Sequence, residues 1–140
     1  MKIDQYLRHN GRTHLREINY QQLPNTKGDT EFKTGINDDI TVDVRAEKGL
    51  LVIMTRNVTI TPAALFALSV TLSVEFPFNK NTYKDINWSD VDLRTEIVND
   101  SSGLMNDLLN RVSLIIAQIT AISGDTPLVT PPILMMPKKK

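Results

Sequence analysis

Cysteine is absent from this sequence, and several features that define other protein classes are absent with it. Without cysteine, disulfides and thiolate zinc sites are excluded. The 16 basic and 16 acidic residues cancel to a net charge of zero, which argues against nucleic acid as the main partner. No apolar run approaches the roughly 18 residues of a membrane-spanning helix, and the N-terminus lacks a signal-peptide core. We therefore expect a soluble cytoplasmic protein without a membrane span.

Residues that could perform catalysis are also sparse. His9 and His14 lie in a polar N-terminal stretch where nothing predicts that they converge on a metal or a serine. The six glycines form no phosphate-binding loop. Asp38-Asp39 suits a turn before a strand, and Asp90, Asp92 and Glu96 suit the start of a helix, where carboxylates complement the helix dipole. The alternative for these acidic groups is a bound cation or a catalytic carboxylate pair. We expect a protein that is not an enzyme and needs no metal or cofactor.

Alternating apolar residues predict antiparallel strands in the first half of the chain. Residues 14–20, "HLREINY", indicate a short edge strand or an extended arm, and residues 39–47 and 50–60 indicate a hairpin. Turn residues at Pro24-Asn25 and Gly28-Asp29 predict a loop before that hairpin. The strongest alternation belongs to Ala64, Phe66, Leu68, Val70, Leu72, Val74, Phe76 and Phe78. Because Ser, Thr and Glu lie between most of these residues, the pattern predicts a sheet with one buried and one polar face.

The pattern changes to a helical period in the second half of the chain. Ser89 begins the capping-box-like "SDVD", which predicts a short helix reaching Val98. A long helix is predicted after Ser101-Ser102, with Gly124 as its C-terminal cap. Its apolar stripe is broad, so we interpret part of it as an oligomer interface: Leu104, Leu108, Val112, Ile115 and Ile119. The predicted fold class is α+β, with an antiparallel β-meander of about four strands followed by helices packed on one face.

An apolar tail with four prolines, "GDTPLVTPPILMMPKKK", ends the chain. Proline fixes φ and removes a backbone donor, so the tail cannot be a helix. Its apolar side chains either complete the core or form a surface for a partner, and the same alternatives hold for aromatic residues near the end of the last strand. We expect a groove that binds an extended polypeptide, lined by Phe76, Phe78, Tyr83, Trp88, Leu128, Val129, Ile133, Leu134, Met135 and Met136.

The order of these parts resembles the SecB-like protein-export chaperones over most of the chain. "REINY" stands where that family has its first short strand, and "ITVDVRAEKGLLVIMTRNVTI" and "ALFALSVTLSVEFPF" resemble its sheet. "LLNRVSLIIAQITAISGDTP" resembles its long helix, and "LVTPPIL" resembles its apolar, proline-bearing segment. The likeness departs at the end, because the family's second helix and its zinc-binding tail have no counterpart. The resemblance implies that residues 1–140 form one SecB-like domain, in which residues 125–140 are an extended tail. Whether residues 1–12 are ordered is left open.

The resemblance implies an ATP-independent holdase that binds unfolded polypeptides, in protein export or in general holding. It also implies self-association as a dimer or as a tetramer built from two dimers. A SecA-type motor is a further partner of the family, but the missing zinc-binding tail and the zero net charge argue against it here. One alternative is a specialised adaptor of the same fold, toxin–antitoxin-associated or phage-encoded, with one dedicated partner. Another is a small enzyme or ligand-binding protein with a pocket near Asp90, Asp92 or Arg111.

Overall fold

A computed structural model describes residues 1–23, 33–61, 66–123 and 127–136. The predicted loop at Pro24-Asn25 and Gly28-Asp29 and the predicted cap Gly124 lie outside the described residues, as does Ala64. Within these four ranges, no helix is long and apolar enough to cross a membrane.

Four antiparallel strands form one sheet in the order β1-β4-β3-β2. They are β1 (Arg12–Gln22), β2 (Lys33–Arg45), β3 (Gly49–Thr61) and β4 (Phe66–Pro77). The predicted hairpin is confirmed as β2 and β3, with Val42 opposite Val52. The predicted N-terminal strand is confirmed as β1, which pairs with β4 and carries a bulge between Leu15 and Glu17. The two edge strands of the sheet are therefore β1 and β2.

The turn between β2 and β3 depends on one glycine. A Cβ atom at Gly49 would collide with the carbonyl oxygen of Phe76 on the neighbouring strand β4. Only a residue without a side chain lets the two backbones approach so closely. Gly49, at the end of the predicted turn, therefore allows the start of β3 to pair closely with β4.

Two α-helices follow the sheet, α1 (Leu93–Val98) and α2 (Asn106–Ser123). The prediction that Ser89 begins the short helix is wrong. Ser89 lies in a separate 3₁₀ turn, and the Asp92 carboxylate caps α1 by accepting a hydrogen bond from the Thr95 backbone N–H at 3.3 Å. Asp92 takes this position because its carboxylate also accepts from the Thr95 hydroxyl at 2.7 Å.

The hydrophobic core lies between one face of the sheet and the helices. The predicted alternation in β4 is confirmed, because every second side chain from Leu68 to Phe76 is buried. The same holds for the facing side of β3, whereas many side chains of the opposite face are partly exposed. The core includes Leu50, Val52, Met54 and Val58 of β3, Leu68, Val70, Leu72, Val74 and Phe76 of β4, and Leu104, Leu108, Val112 and Ile116 at α2.

The polar first dozen residues also contribute to this core. Residues Ile3–Tyr6 form a 3₁₀ turn, and the side chains of Ile3 and Leu7 are 1% and 3% exposed. Leu7 forms a β-bridge with Phe78, just beyond the end of β4. The N-terminal segment therefore closes one end of the sheet.

Candidate polypeptide-binding site

The C-terminal segment 127–136, called the tail below, contains neither helix nor strand and lies against the core. At its start, the backbone N–H of Leu128 donates to the Thr120 hydroxyl of α2 at 2.7 Å. Near its end, the backbone N–H of Met135 donates to the Asp38 carboxylate at 2.8 Å. The Asp38 backbone N–H in turn donates to the Met135 carbonyl at 2.9 Å. The tail is thus attached at both ends, to α2 and to the edge strand β2.

Arg56 of β3 holds the middle of the tail. Its guanidinium donates to the Thr130 hydroxyl at 2.9 Å and to the Pro131 carbonyl at 2.8 Å. It also donates to the Ile133 carbonyl at 2.6 Å. Arginine suits this position because its planar group carries five N–H donors. One buried side chain therefore binds three successive points of a segment that has no regular structure of its own.

The charge of Arg56 is balanced by Asp38 in a bidentate ion pair, with both N···O distances at 2.8 Å. Both side chains have zero exposure. A buried ion pair is tolerated only where geometry is good and the remaining donors and acceptors are satisfied. Here the tail supplies those partners, and no buried side-chain nitrogen or oxygen in the described ranges lacks one. The pair and the docked tail therefore stabilise each other.

Sequence analysis missed Arg56, and it assigned Asp38 with Asp39 to a turn before the strand, whereas Asp38 lies inside β2. The signal was present, because each is a charged residue at a position where the strand alternation places an inward, apolar side chain. In β2 the inward neighbours of Asp38 are Ile36 and Ile40, and in β3 those of Arg56 are Met54 and Val58. When two paired strands each carry a charged residue on the inward face and the charges are opposite, the pattern predicts a buried ion pair.

A groove of about 290 Å³ opens between the tail and the helices. Its lining combines apolar side chains with the polar Asp100 and Asn106, and the predicted binding residues Ile133 and Leu134 form part of it. The other apolar lining residues are Ile97, Val98, Met105, Leu109 and Pro132. Val129 and Ile133 are 78% and 59% exposed, while Leu128, Leu134, Met135 and Met136 are half-buried. The tail thus places apolar side chains both in a groove and in solvent.

Three of the four predicted aromatic residues, Phe78, Tyr83 and Trp88, come together beyond the end of β4. Phe78 stacks between Tyr83 and Trp88, with ring centroids 5.1 Å and 4.9 Å apart. The Trp88 indole N–H donates to the Tyr83 carbonyl at 2.9 Å. Phe76 and Phe78 are only 2% and 3% exposed, although both border an open cavity of about 760 Å³ beside the turn between β2 and β3. The structure therefore places these two rings in the chain's own core.

The predicted oligomer-interface residues divide into two groups. Leu104, Leu108 and Val112 are buried against the chain's own sheet, with exposures of 7%, 1% and 0%. Ile115 and Ile119 are half-buried and pack at the margin of the core. While the core is intact, only the second group is accessible to another subunit.

Other apolar residues are more exposed than either group. Leu114 and Ile122 of α2 are 59% and 87% exposed. Leu15 and Ile18 of β1 are 53% and 42% exposed, and they lie opposite core residues of β4 in the strand register. Facing pairs in an antiparallel sheet share a face, so these two side chains extend from the helix-covered face. The sequence patterns did not single these residues out as a surface.

The residues considered for an enzyme or ligand site make local contacts. Asp90 accepts a hydrogen bond from the Asn87 side chain at 2.9 Å, and Asp92 caps α1. Arg111 donates to Asp107, one helical turn away, at 2.8 Å. In the part of the chain that the structure describes, no group of three or more histidine or acidic side chains could hold a metal ion.

No family model matches the sequence, and no curated protein matches it. Solved structures do match. One is Mycobacterium tuberculosis Rv1957, a SecB-like chaperone in complex with a ChAD peptide from the Rv1956 HigA1 antitoxin. It has a TM-score of 0.63 at 11% identity, over 89% of this chain and 88% of that chain. A Streptococcus agalactiae protein of unknown function has a TM-score of 0.41 at 16% identity, over 86% and 92%.

The likeness to Rv1957 shows that the fold is SecB-like. The predicted fold class is therefore confirmed, with four antiparallel strands followed by helices.

Proposed function

We propose that this protein is an ATP-independent chaperone that binds unfolded or extended polypeptides. The observation that carries the proposal is the tail, which is fixed through its backbone while Val129 and Ile133 stay exposed beside an apolar groove. A segment that only completed the core would turn such side chains inward. The SecB-like fold supports the same function, because Rv1957 is a chaperone described with a bound peptide.

Client side chains would enter the groove between the tail and the helices. A groove of about 290 Å³ accepts one or two side chains, so a single site would bind weakly. Met105 lines the groove, and its flexible, polarizable side chain suits clients of varied sequence. This chemistry needs no catalytic group and no cofactor, and it fits a holding role in the cytoplasm or in protein export.

The edge of β2 offers a second way to hold a client. Two of its outward backbone groups are already engaged: the Asp38 N–H by Met135, and the Ile40 carbonyl by Arg94 at 3.3 Å. Because hydrogen-bonding groups alternate along a strand, the backbone groups of Val42 and Val44 also point away from β3. No described residue forms a hydrogen bond with them on that open edge. An extended client could pair there as an added strand.

Several weak sites become an effective holdase when copies of the chain assemble. We propose that the exposed apolar residues of α2 and β1 mediate this assembly, as a dimer or a dimer of dimers. Ile122 and Leu114 are the most exposed large apolar residues of α2, and Ile115 and Ile119 extend the same surface toward the core.

The second candidate is an adaptor with one dedicated partner. The small size of the groove favours it, because a narrow apolar site selects among side chains. The match to Rv1957 also suits it, since the peptide in that complex comes from one antitoxin.

A titration separates the two candidates. The protein is titrated with an unrelated polypeptide kept unfolded by reduction and alkylation, and the folded form of that polypeptide serves as the control. We expect saturable binding of the unfolded form alone. No binding up to tens of micromolar would contradict the general chaperone and leave the dedicated adaptor, which an array of single-sequence peptides would then test.

A further inference from the structure

The side chains that hold the tail form a separate feature, which we call the backbone cradle: Asp38, Arg56, Ser113 and Thr120. On the tail, the bonded atoms are mostly main-chain: the Leu128 N–H, the Pro131 and Ile133 carbonyls, and both backbone groups of Met135. The Thr130 hydroxyl is the side-chain group that the cradle binds. The cradle therefore recognises a peptide backbone, with little dependence on its sequence.

Two apolar side chains of the tail, Leu128 and Leu134, pack against the core, and the other contacts are made mostly by its backbone. Val129 and Ile133 extend into solvent, and Leu128 and Leu134 are only half-buried. Proline at 131 and 132 removes two backbone donors that would otherwise need partners. A different non-helical segment with carbonyls two residues apart could accept the same hydrogen bonds from the Arg56 guanidinium.

The side chains of the cradle lie on two strands and a helix of the core, outside the tail itself. Asp38 and Arg56 lie on paired strands, where Asp38 is directly opposite Arg56 in the register. Ser113 and Thr120 lie on α2, two turns apart, and Thr120 also donates to the Ile116 carbonyl at 2.8 Å. The bidentate ion pair fixes the guanidinium plane. The site is thus preorganised for a peptide.

We propose that the backbone cradle is a peptide-binding site in its own right, and that the tail is its internal occupant. The ligand that replaces the tail is a non-helical, apolar segment of a client polypeptide, recognised through its main chain. This inference rests on the proposed chaperone function and adds a second mode of client binding: in the first mode the docked tail lines the groove, and in the second the client displaces the tail. The position of the cradle supports it, because Asp38 lies four residues from Val42, where the β2 edge is open to an added strand.

The test uses the full chain and a fluorescent peptide with the tail sequence, PLVTPPILMM. In one variant, Leu128→Lys with Leu134→Lys displaces the tail by charging its two half-buried anchors, which pack against the core. Lysine is chosen because an acidic side chain could pair with Arg56. The matched control, Asn110→Lys with Gln118→Lys, adds the same charge at exposed positions of α2 and leaves the tail docked.

We expect the peptide to bind the tail-displaced variant at least ten-fold more tightly than the wild type or the matched control. The reason is that a tethered tail competes at an effective concentration on the order of millimolar. Adding Asp38→Leu with Arg56→Met to the displaced variant should abolish binding. A peptide of the same composition with its apolar residues reordered should bind within about three-fold, since the contacts are to the backbone.

Several results would overturn the inference. One is a tail-displaced variant that melts cooperatively but binds neither peptide. Another is binding that survives removal of Arg56 and Asp38. A third is a molar mass from light scattering that shows two copies of the chain joined through the displaced tail. That result would make the exchange of tails between copies the function of the cradle.

A second measurement covers the case in which the displaced variant does not fold. Hydrogen exchange at the Met135 amide is followed in the wild type with and without an excess of unfolded client. Faster exchange with client supports displacement, and unchanged exchange with client bound contradicts it. If the client does not bind at all, the chaperone proposal fails, while the peptide experiment still decides whether the cradle is a site.

Discussion

The tail and the aromatic cluster (Phe76, Phe78, Tyr83 and Trp88) are both rich in apolar side chains, but they differ in how far those side chains are buried. Phe76 belongs to a strand with strict alternation, Phe78 follows just beyond the end of that strand, and both are buried. Val129 and Ile133 belong to a segment without a period, and both are mostly exposed. A regular pattern aligns many apolar side chains toward one face, which a sheet can bury together. An aperiodic, proline-bearing segment cannot do so, and it is held by its backbone instead.

The two regions also differ in what holds them. The aromatic end is closed by ring stacking around Phe78, which depends on shape and apolar contact. The tail depends on a buried charge pair, Arg56 and Asp38, whose donors and acceptors reach the main chain. Substitutions in the two regions should therefore lower the free energy of unfolding by different amounts.

The largest effect is expected for Arg56→Met, which leaves the Asp38 carboxylate buried and unpaired. Unfolding in urea should show a loss of about 3–5 kcal/mol in the free energy of unfolding. The exposed pair of Arg111 with Asp107 is the matched control, and Arg111→Met should cost about 0.5 kcal/mol or less. The double variant Asp38→Leu with Arg56→Met should regain much of the stability, while the Met135 amide stays unprotected from exchange. A double variant no more stable than Arg56→Met would contradict this account.

A slightly smaller effect is expected for Phe76→Ala. The change should lower the free energy of unfolding by about 3 kcal/mol, at the low end for a buried ring because an open cavity borders it. Ile133→Ala, on the exposed tail, should change it by about 0.5 kcal/mol or less. Urea unfolding measures both. If Phe76→Ala and Ile133→Ala lowered the free energy of unfolding equally, the distinction between a buried aromatic end and an exposed tail would be contradicted.

A smaller and more local effect is expected for Thr120→Val, which keeps the side-chain shape and removes the hydroxyl that accepts from Leu128. Loss of this one buried hydrogen bond should cost about 1–2 kcal/mol, because the Leu128 N–H loses its partner. Hydrogen exchange should show reduced protection at Leu128. Thr55→Val removes a comparable hydroxyl pair with Thr71 and should leave the Leu128 amide unchanged. Similar exchange at Leu128 in both variants would show that the tail does not depend on α2.

The strands, the β2–β3 hairpin and the buried face of β4 could be predicted from the sequence, because burial imposes a two-residue period on strands. The pairing of β1 with β4 was not predicted. The N-terminal contribution could not be predicted, since Ile3 and Leu7 lie among polar residues and show no period. The site was predicted in part: the tail residues beside the groove were identified, but the backbone cradle was not. Hydrogen bonds from side chains to a distant main chain leave no periodic signal, as the pairing of Asp38 with Met135 illustrates.

The central claim is that the exposed apolar side chains of the tail bind clients, and one measurement tests it most directly. The affinity for a short unfolded peptide that occupies a single site is compared between Val129→Ser with Ile133→Ser and a control, Leu15→Ser with Ile18→Ser. Both variants remove two exposed apolar side chains, but only the first removes them from the tail. The account predicts a loss of about ten-fold for the tail variant and little change for the control. Unchanged affinity in the tail variant, or an equal loss in the control, would contradict it.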